Sequence, residues 1–257
     1  MTLARVDDLG DRLVVVNMNS TKRGALSPDL YAAITQAVEQ AAQDRIRAIV
    51  LTSEGGFFCA GGDLNVLISR RDLAEMERRE KVDELHELVR LIRRSPVPVI
   101  AAVEGGAAGA GASLALACDM IVAAEGAKFT AAYVKIGLVP DAGLTAALSR
   151  MLPRQLAMEM CLLARPVTAE RMAALGCVNA VVPEGQTRAE AMAIAGVLAK
   201  GPRDAQRVIR GLVAQAYDVT EAEQLDAERN GMARAAGGPE AAEGIAAFLE
   251  KRKPDYS

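Results

Sequence analysis

Two glycine-bearing turns in this chain offer backbone amides that could stabilise negative charge. The first is AGGDL at residues 60–64. The second lies in VEGGAAGAGASLALACDM, residues 103–120, where Gly105, Gly106, Gly109 and Gly111 fall close together. An apolar strand over 97–103 is expected to feed this turn, which opens a small-residue helix over 113–118. A helix start leaves N–H groups unpaired, and its dipole favours an anion or a developing oxyanion. The lack of bulky side chains lets a ligand approach the backbone. The same pattern also suits a plain tight turn that packs a helix on a sheet. A third turn, VPDAG at 139–143, carries Asp141, a carboxylate that could move a proton or cap the following helix. Tyr133, Ser113 and the lone histidine, His86, are further polar candidates. A single histidine on a charged amphipathic helix ordinarily serves surface or packing.

The elements that would position these residues follow from periodicity and turn chemistry. LVVVNM at 13–18 and residues 46–52 read as strands. Ser27-Pro28-Asp29 reads as a helix start, with Ser27 as N-cap and Pro28 at the first helical position. Residues 64–69 start a short helix. Residues 70–81 are highly charged, a mobile segment or an exposed helix, and 82–94 are amphipathic through Leu85, Val89 and Ile92. Short strands are expected at 120–123 and 128–130, and a helix at 144–152. Strand, glycine-bearing turn and helix thus recur three times. Beyond Pro153 the chain reads as almost all helix, with one late strand at 178–182 and Pro239 opening the last helix.

The chain has 257 residues, room for one large domain or a core with a smaller C-terminal part. Residues 1–195 are expected to form the core and 196–257 a helical region. Aromatic residues make up only 3% and Trp is absent, so the core must be aliphatic. A formal charge of −3 implies no basic field for nucleic acid. No apolar run follows the charges at the start, so no secretory signal is expected. No uncharged apolar stretch reaches the roughly 18 residues of a membrane span. Cys59, Cys118, Cys161 and Cys177 form no CxxC pair, which points to reduced thiols in a cytoplasmic protein and away from a metal site.

Taken together the motifs resemble the crotonase (enoyl-CoA hydratase/isomerase) superfamily. The resemblance is carried by KRGALS at 22–27, FFCAGGDL at 57–64, PVIAAVEGGAAGAG at 98–111, IGLVPDAG at 136–143 and AFLEKRKPDYS at the C-terminus. It implies an α/β fold, a spiral of ββα units with a helical C-terminal trimerisation region, and a homotrimer or a dimer of trimers. It also implies an acyl-CoA thioester substrate, with coenzyme A as part of the substrate and no separate cofactor. The matching oxyanion-hole amides are those of Gly62 and Ala110. The family more often has glycine at the second place, a mild departure provided φ stays negative.

The resemblance further implies substrate contacts at Lys22 and Arg23 near the CoA phosphates, and at Ala25 and Ala60 through main-chain groups. Asp63, Leu64 and Gly109 flank the two amides. Phe248 and Lys251 match C-terminal residues that reach CoA on a neighbouring subunit. Where hydratases carry two glutamates this chain has Ser113 and Tyr133, which makes two-carboxylate hydration doubtful. Asp141 matches the acid–base carboxylate of double-bond isomerases, which implies isomerisation, or hydration, of an enoyl-CoA with Asp141 as acid/base. In the 4-chlorobenzoyl-CoA dehalogenase branch the same position is a nucleophile, with a histidine matching His86 and an aromatic residue matching Tyr133. Dehalogenation or thioester hydrolysis, and a non-catalytic acyl-CoA-binding scaffold, therefore stand as alternatives.

Overall fold

Continuous runs of apolar side chains build a sheet that is buried on both faces. The computed structural model describes residues 2–256. Its strands are β1 (Ala4–Asp8), β2 (Arg12–Asn17), β3 (Ala48–Ser53), β4 (Val99–Val103), β5 (Gly106–Ala108), β6 (Met120–Ala124), β7 (Lys128–Thr130), β8 (Val167–Thr168) and β9 (Ala180–Val182). The large sheet has the order β1-β2-β3-β4-β6-β9. Only the β1–β2 pair in it is antiparallel. A smaller sheet has the order β5-β7-β8. Successive side chains point to opposite faces of a strand. Leu13, Val15, Ile49 and Leu51 accordingly face the main core, while Val14, Val16, Ala48 and Val50 face a second layer. Burial on both faces explains why these strands read as continuous apolar runs.

The helices are α1 (Pro28–Gln40), α2 (Leu64–Ser69), α3 (Glu75–Arg93), α4 (Ala110–Ala117), α5 (Leu144–Met151), α6 (Arg154–Leu163), α7 (Ala169–Ala174), α8 (Thr187–Ala199), α9 (Arg203–Gln215), α10 (Glu221–Ala236) and α11 (Pro239–Leu249). Helix α8 covers the second layer through Ala191 and Ala195. No helix among the described residues is long and apolar enough to cross a membrane. The recurring unit is physical. β3 feeds Cys59 and then α2; β4 feeds β5 and α4; β6 feeds β7 and, through a 3-10 helix at Ala132–Ile136, α5. The first strand of each unit lies in the large sheet. The second lies beside its neighbour, with Cys59 bridged parallel to Ala107 and β5 parallel to β7. The chain therefore winds as a spiral of ββα units.

Helices α9 and α10 bury no residue against this body. Two arginines tie α9 down. Arg210 donates to Asp119 Oδ2 at 2.8 Å and to the Ser95 carbonyl. Arg203 donates to the carbonyls of Ala41 at 3.1 Å and Ile46 at 3.3 Å.

Several boundaries differ from expectation. β1 pairs with β2 although its sequence ARVDD is mostly polar, because an edge strand takes its stability from ladder pairing. β5 forms within the glycine-rich turn, held by β7 and Cys59 rather than by strand propensity. α4 starts at Ala110, ahead of the expected 113, because Gly109 (φ 53°) takes the cap position. The charged stretch from Glu75 opens one continuous helix, exposed over its first turns and buried later through Leu85, Leu88, Val89 and Ile92, its start held by Glu77 accepting from the Ala74 N–H at 2.8 Å. A second late strand, β8, occupies Val167–Thr168.

Ser27 is the N-cap of α1, accepting from the Leu30 N–H at 3.2 Å, and Pro28 follows at the first helical position. Ser27→Ala removes this bond and should cost about 1 kcal/mol of stability, measured by urea denaturation.

Candidate active site

The two glycine-bearing turns lie side by side. The Ala108 N–H donates to the Cys59 carbonyl at 2.9 Å, setting residues 59–62 alongside 107–110. Gly61 (φ +91°) lies so close to the second turn that a Cβ there would sit 2.7 Å from the Ala108 carbonyl oxygen and 3.1 Å from the Ala110 nitrogen. A Cβ on Gly111 would lie 2.2 Å from the Cys59 carbonyl oxygen. Only glycine permits this approach of helix α4 to the strand.

Neither the Gly62 nor the Ala110 N–H has an acceptor among the described residues. Both stand at helix starts: Gly62 precedes Asp63, the N-cap of α2, and Ala110 is the first residue of α4. Ala110 is absent from the positive-φ residues, so its methyl group leaves the donor unhindered. The pair offers two unspent donors backed by two helix dipoles.

A carboxylate network adjoins the amides. The Tyr133 hydroxyl donates to Asp141 Oδ1 at 2.6 Å. Ser113, on the first turn of α4, lies 3.4 Å from that hydroxyl and donates to the Asp141 carbonyl at 3.3 Å. The Tyr133 ring reaches back to the amide turn, 3.9 Å from where a Gly109 Cβ would stand. Burial and the neighbouring Asp141 charge raise the Tyr133 pKa well above the ordinary phenol value. Tyr133 is therefore a neutral donor. The Asp141 side chain does not cap α5; Gly143 holds that position, and only the Asp141 carbonyl accepts, from the Leu144 N–H at 3.1 Å.

The basic loop packs against the first amide turn. The Ala60 N–H donates to the Arg23 carbonyl at 3.0 Å, and the Leu26 N–H to the Gly61 carbonyl at 2.8 Å. Ala25 is buried beside them. Arg23 adopts a left-handed backbone (φ 52°) and lays its guanidinium 4.0 Å from the Phe57 ring centroid. Exposed Lys22 pairs with Asp63. Leu64, the first residue of α2, is exposed.

Other candidates are not drawn in. His86 lies on α3 with Nδ1 3.8 Å from Asp83, and its buried Nε2 has no partner among the described residues. No hydrogen bond joins it to Asp141. Phe248 is 83% exposed near the C-terminus, and Lys251 follows it with a left-handed backbone (φ 56°). Burial pushes the Cys59 thiol up to about 12, so it stays protonated and is a poor nucleophile. One residue absent from the sequence reading is Tyr31 on α1, half-buried against the main core, where burial pushes its phenol up to about 12. The available signal was a scarce aromatic set between the buried apolar positions Leu30 and Ile34.

A spiral of ββα units carrying two unspent amides beside a carboxylate defines the class of crotonase-fold enzymes. Residues 10–257 match the family described as Enoyl-CoA hydratase/isomerase. A probable enoyl-CoA hydratase from Rhodobacter capsulatus is 35% identical, over 97% of this chain and 96% of that protein. The 1,2-epoxyphenylacetyl-CoA isomerase of Escherichia coli is 34% identical, over 95% of each. The crystal structure of an enoyl-CoA hydratase from Polaromonas sp. JS666 superposes with a TM-score of 0.95 at 41% identity, covering 99% of both chains. The chain belongs to the enoyl-CoA hydratase/isomerase family and is an enzyme of that family.

The close approach at Gly111 sets the height of α4 and with it the Ala110 donor. Gly111→Ala must move the helix start by a good fraction of an ångström. It should lower kcat/KM about 100-fold, as expected for a misplacement on the 1 Å scale. Circular dichroism should confirm a retained fold while steady-state assays on an enoyl-CoA read the loss.

Proposed function

We propose that this enzyme shifts the double bond of an enoyl-CoA, with Asp141 as the proton carrier. The observation that carries this reading is the Tyr133–Asp141 bond beside two free amides. The thioester oxygen would accept from the Gly62 and Ala110 N–H groups. Asp141 would remove a proton from the α-carbon, and the electron pair would pass into the thioester as a dienolate. The amides would hold the developing charge on oxygen. The same carboxyl group would then return the proton to the γ-carbon, leaving the double bond between the α- and β-carbons. Tyr133 occupies Asp141 Oδ1, which leaves the other oxygen for proton transfer. A charge-assisted bond of this kind fixes the carboxylate without neutralising it.

Lys22 and Arg23 would face the CoA phosphates, with Ala25, Ala60, Asp63, Leu64 and Gly109 lining the path to the amides. Binding of phosphate at Lys22 would compete with its pairing to Asp63. Coenzyme A arrives as part of the substrate, and the reaction as written needs no further cofactor. A dehalogenase-type reaction finds less support, because no hydrogen bond ties His86 to the Asp141–Tyr133 network among the described residues.

Asp141→Asn should lower kcat on a β,γ-enoyl-CoA by about 10³-fold, the scale of a lost general acid–base. Tyr133→Phe should keep KM within a few-fold and lower kcat about tenfold, because one neutral-donor bond to the carboxylate is lost. An Asp141→Asn enzyme as active as the parent removes the assignment, and chloride release from 4-chlorobenzoyl-CoA would replace it.

We further propose that residues 196–257 form a trimerisation region on the core of 1–195. Ile209, Val213, Leu225, Met232 and Phe248 on these helices are all more than half exposed in the single chain. Such apolar exposure marks an interface. A trimer would also bring Phe248 and Lys251 to a neighbouring CoA site. Light scattering should give three or six times the chain mass, and Val213→Asp should yield monomer.

A further inference from the structure

Among the described residues, Arg23, Ala142, Ala164 and Lys251 are the non-glycine residues with a left-handed backbone. Arg23, Ala164 and Lys251 each follow the end of a helix. Left-handed residues are ordinary there, because they help to satisfy the last helical carbonyls. Ala142 has no such reason. It precedes helix α5 and directly follows Asp141. Ala142 (φ 51°) and Gly143 (φ 74°) are the central residues of a turn, closed by the Leu144 N–H donating to the Asp141 carbonyl at 3.1 Å. Positive φ at both central positions is the pattern of a type I′ turn, which favours Asn, Asp or Gly at the first of them. Gly143 adopts it without a steric penalty. Alanine at 142 does not, because its Cβ crowds the following carbonyl in this conformation. Residue type and backbone therefore disagree at the position next to the carboxylate.

Burial holds that disagreement in place. Ala142 is 2% exposed and belongs to the main core, as does Leu144 at 1%. Leu144 is the first residue of α5 and anchors the far side of the turn. A return of Ala142 to the right-handed region would draw its methyl group out of the core. With Leu144 fixed, the displaced end of the turn would be Asp141. That residue has two bonds to lose: the Tyr133 hydroxyl donates to Oδ1 at 2.6 Å, and Ser113 donates to the Asp141 carbonyl at 3.3 Å. Backbone strain persists only where the surroundings over-determine it, and it collects at functional sites. Glycine at 142 would make the same turn without strain, but it would populate both hands about equally. The methyl group restricts the turn to one.

We propose that Ala142 is a positioning residue for proton transfer: its buried methyl group latches the left-handed turn and so keeps the Asp141 carboxylate in the pose that Tyr133 bonds. The inference rests on the role of Asp141 proposed above. Ala142 acts only through that carboxylate.

Steady-state kinetics on 3-hexenoyl-CoA test this, with kcat taken per folded enzyme as read by circular dichroism. Ala142→Gly removes the latch and the strain together. It should lose about tenfold in kcat, as expected for a turn that is competent about a tenth of the time, while KM stays within about twofold. The fold should be retained, since relief of the left-handed strain offsets the lost methyl contacts. The same substitution in an Asp141→Asn background should leave the residual rate unchanged, because no carboxylate remains to be aimed. An Ala142→Gly enzyme with the kcat of the parent overturns the inference. So does a loss carried by KM, or an equal loss in both backgrounds, since either marks a merely structural effect. If Asp141→Asn alone is as active as the parent, the role of Asp141 falls and this inference with it. A normal Ala142→Gly enzyme beside an impaired Asp141→Asn enzyme removes only the latch.

Discussion

The structure turns on the contact between two turns that have no room for side chains. Residues 59–62 run beside 107–110, closed by the Cys59–Ala108 bond and by the glycines at 61 and 111. Everything that could polarise a carbonyl follows from that contact. It fixes two amides at neighbouring helix starts and leaves both without acceptors. The large sheet, buried on both faces, supplies the rigid base from which both turns rise. Without such a base, two unpaired donors at a surface would relax toward water.

The carboxylate is attached to this frame by side chains rather than by backbone. Asp141 belongs to the third unit of the spiral, Ser113 to the second, and Tyr133 bridges them. The Tyr133 ring also lies against Gly109. One aromatic residue thus couples the position of the Asp141 carboxylate to that of the amide turn. That coupling is dense for so few residues, and it is neutral: the phenol is held protonated by burial, so no second charge competes with Asp141.

Much of this site could be read from sequence because its parts announce themselves locally. Glycine clusters mark close approach, Ser27-Pro28 marks a helix start, and VPDAG marks a turn that carries a carboxylate. The parts that escaped depend on distant partners. β1 is polar and forms only because β2 lies beside it. β5 has no strand propensity and is defined by β7 and Cys59. Whether the Asp141 side chain caps α5 likewise depends on the fold, since the turn chemistry permits it and Gly143 takes that position instead.

The unspent donors at Gly62 and Ala110 belong to the main chain, which changes what mutation can do to them. A Cβ at Gly62 would meet nothing nearer than Leu67, at an ordinary 3.5 Å. Ala110 already carries a methyl group. Replacing either by another small residue keeps its N–H. Gaining or losing one residue between Glu104 and Gly111, by contrast, would slide a different amide into the Ala110 position and break the register with Cys59. This part of the enzyme is thus buffered against drift in residue identity and exposed to changes in chain length. Asp141 is the reverse, since a single codon change can abolish it. A lineage built on this scaffold can exchange its side-chain groups step by step while its two main-chain donors stay fixed.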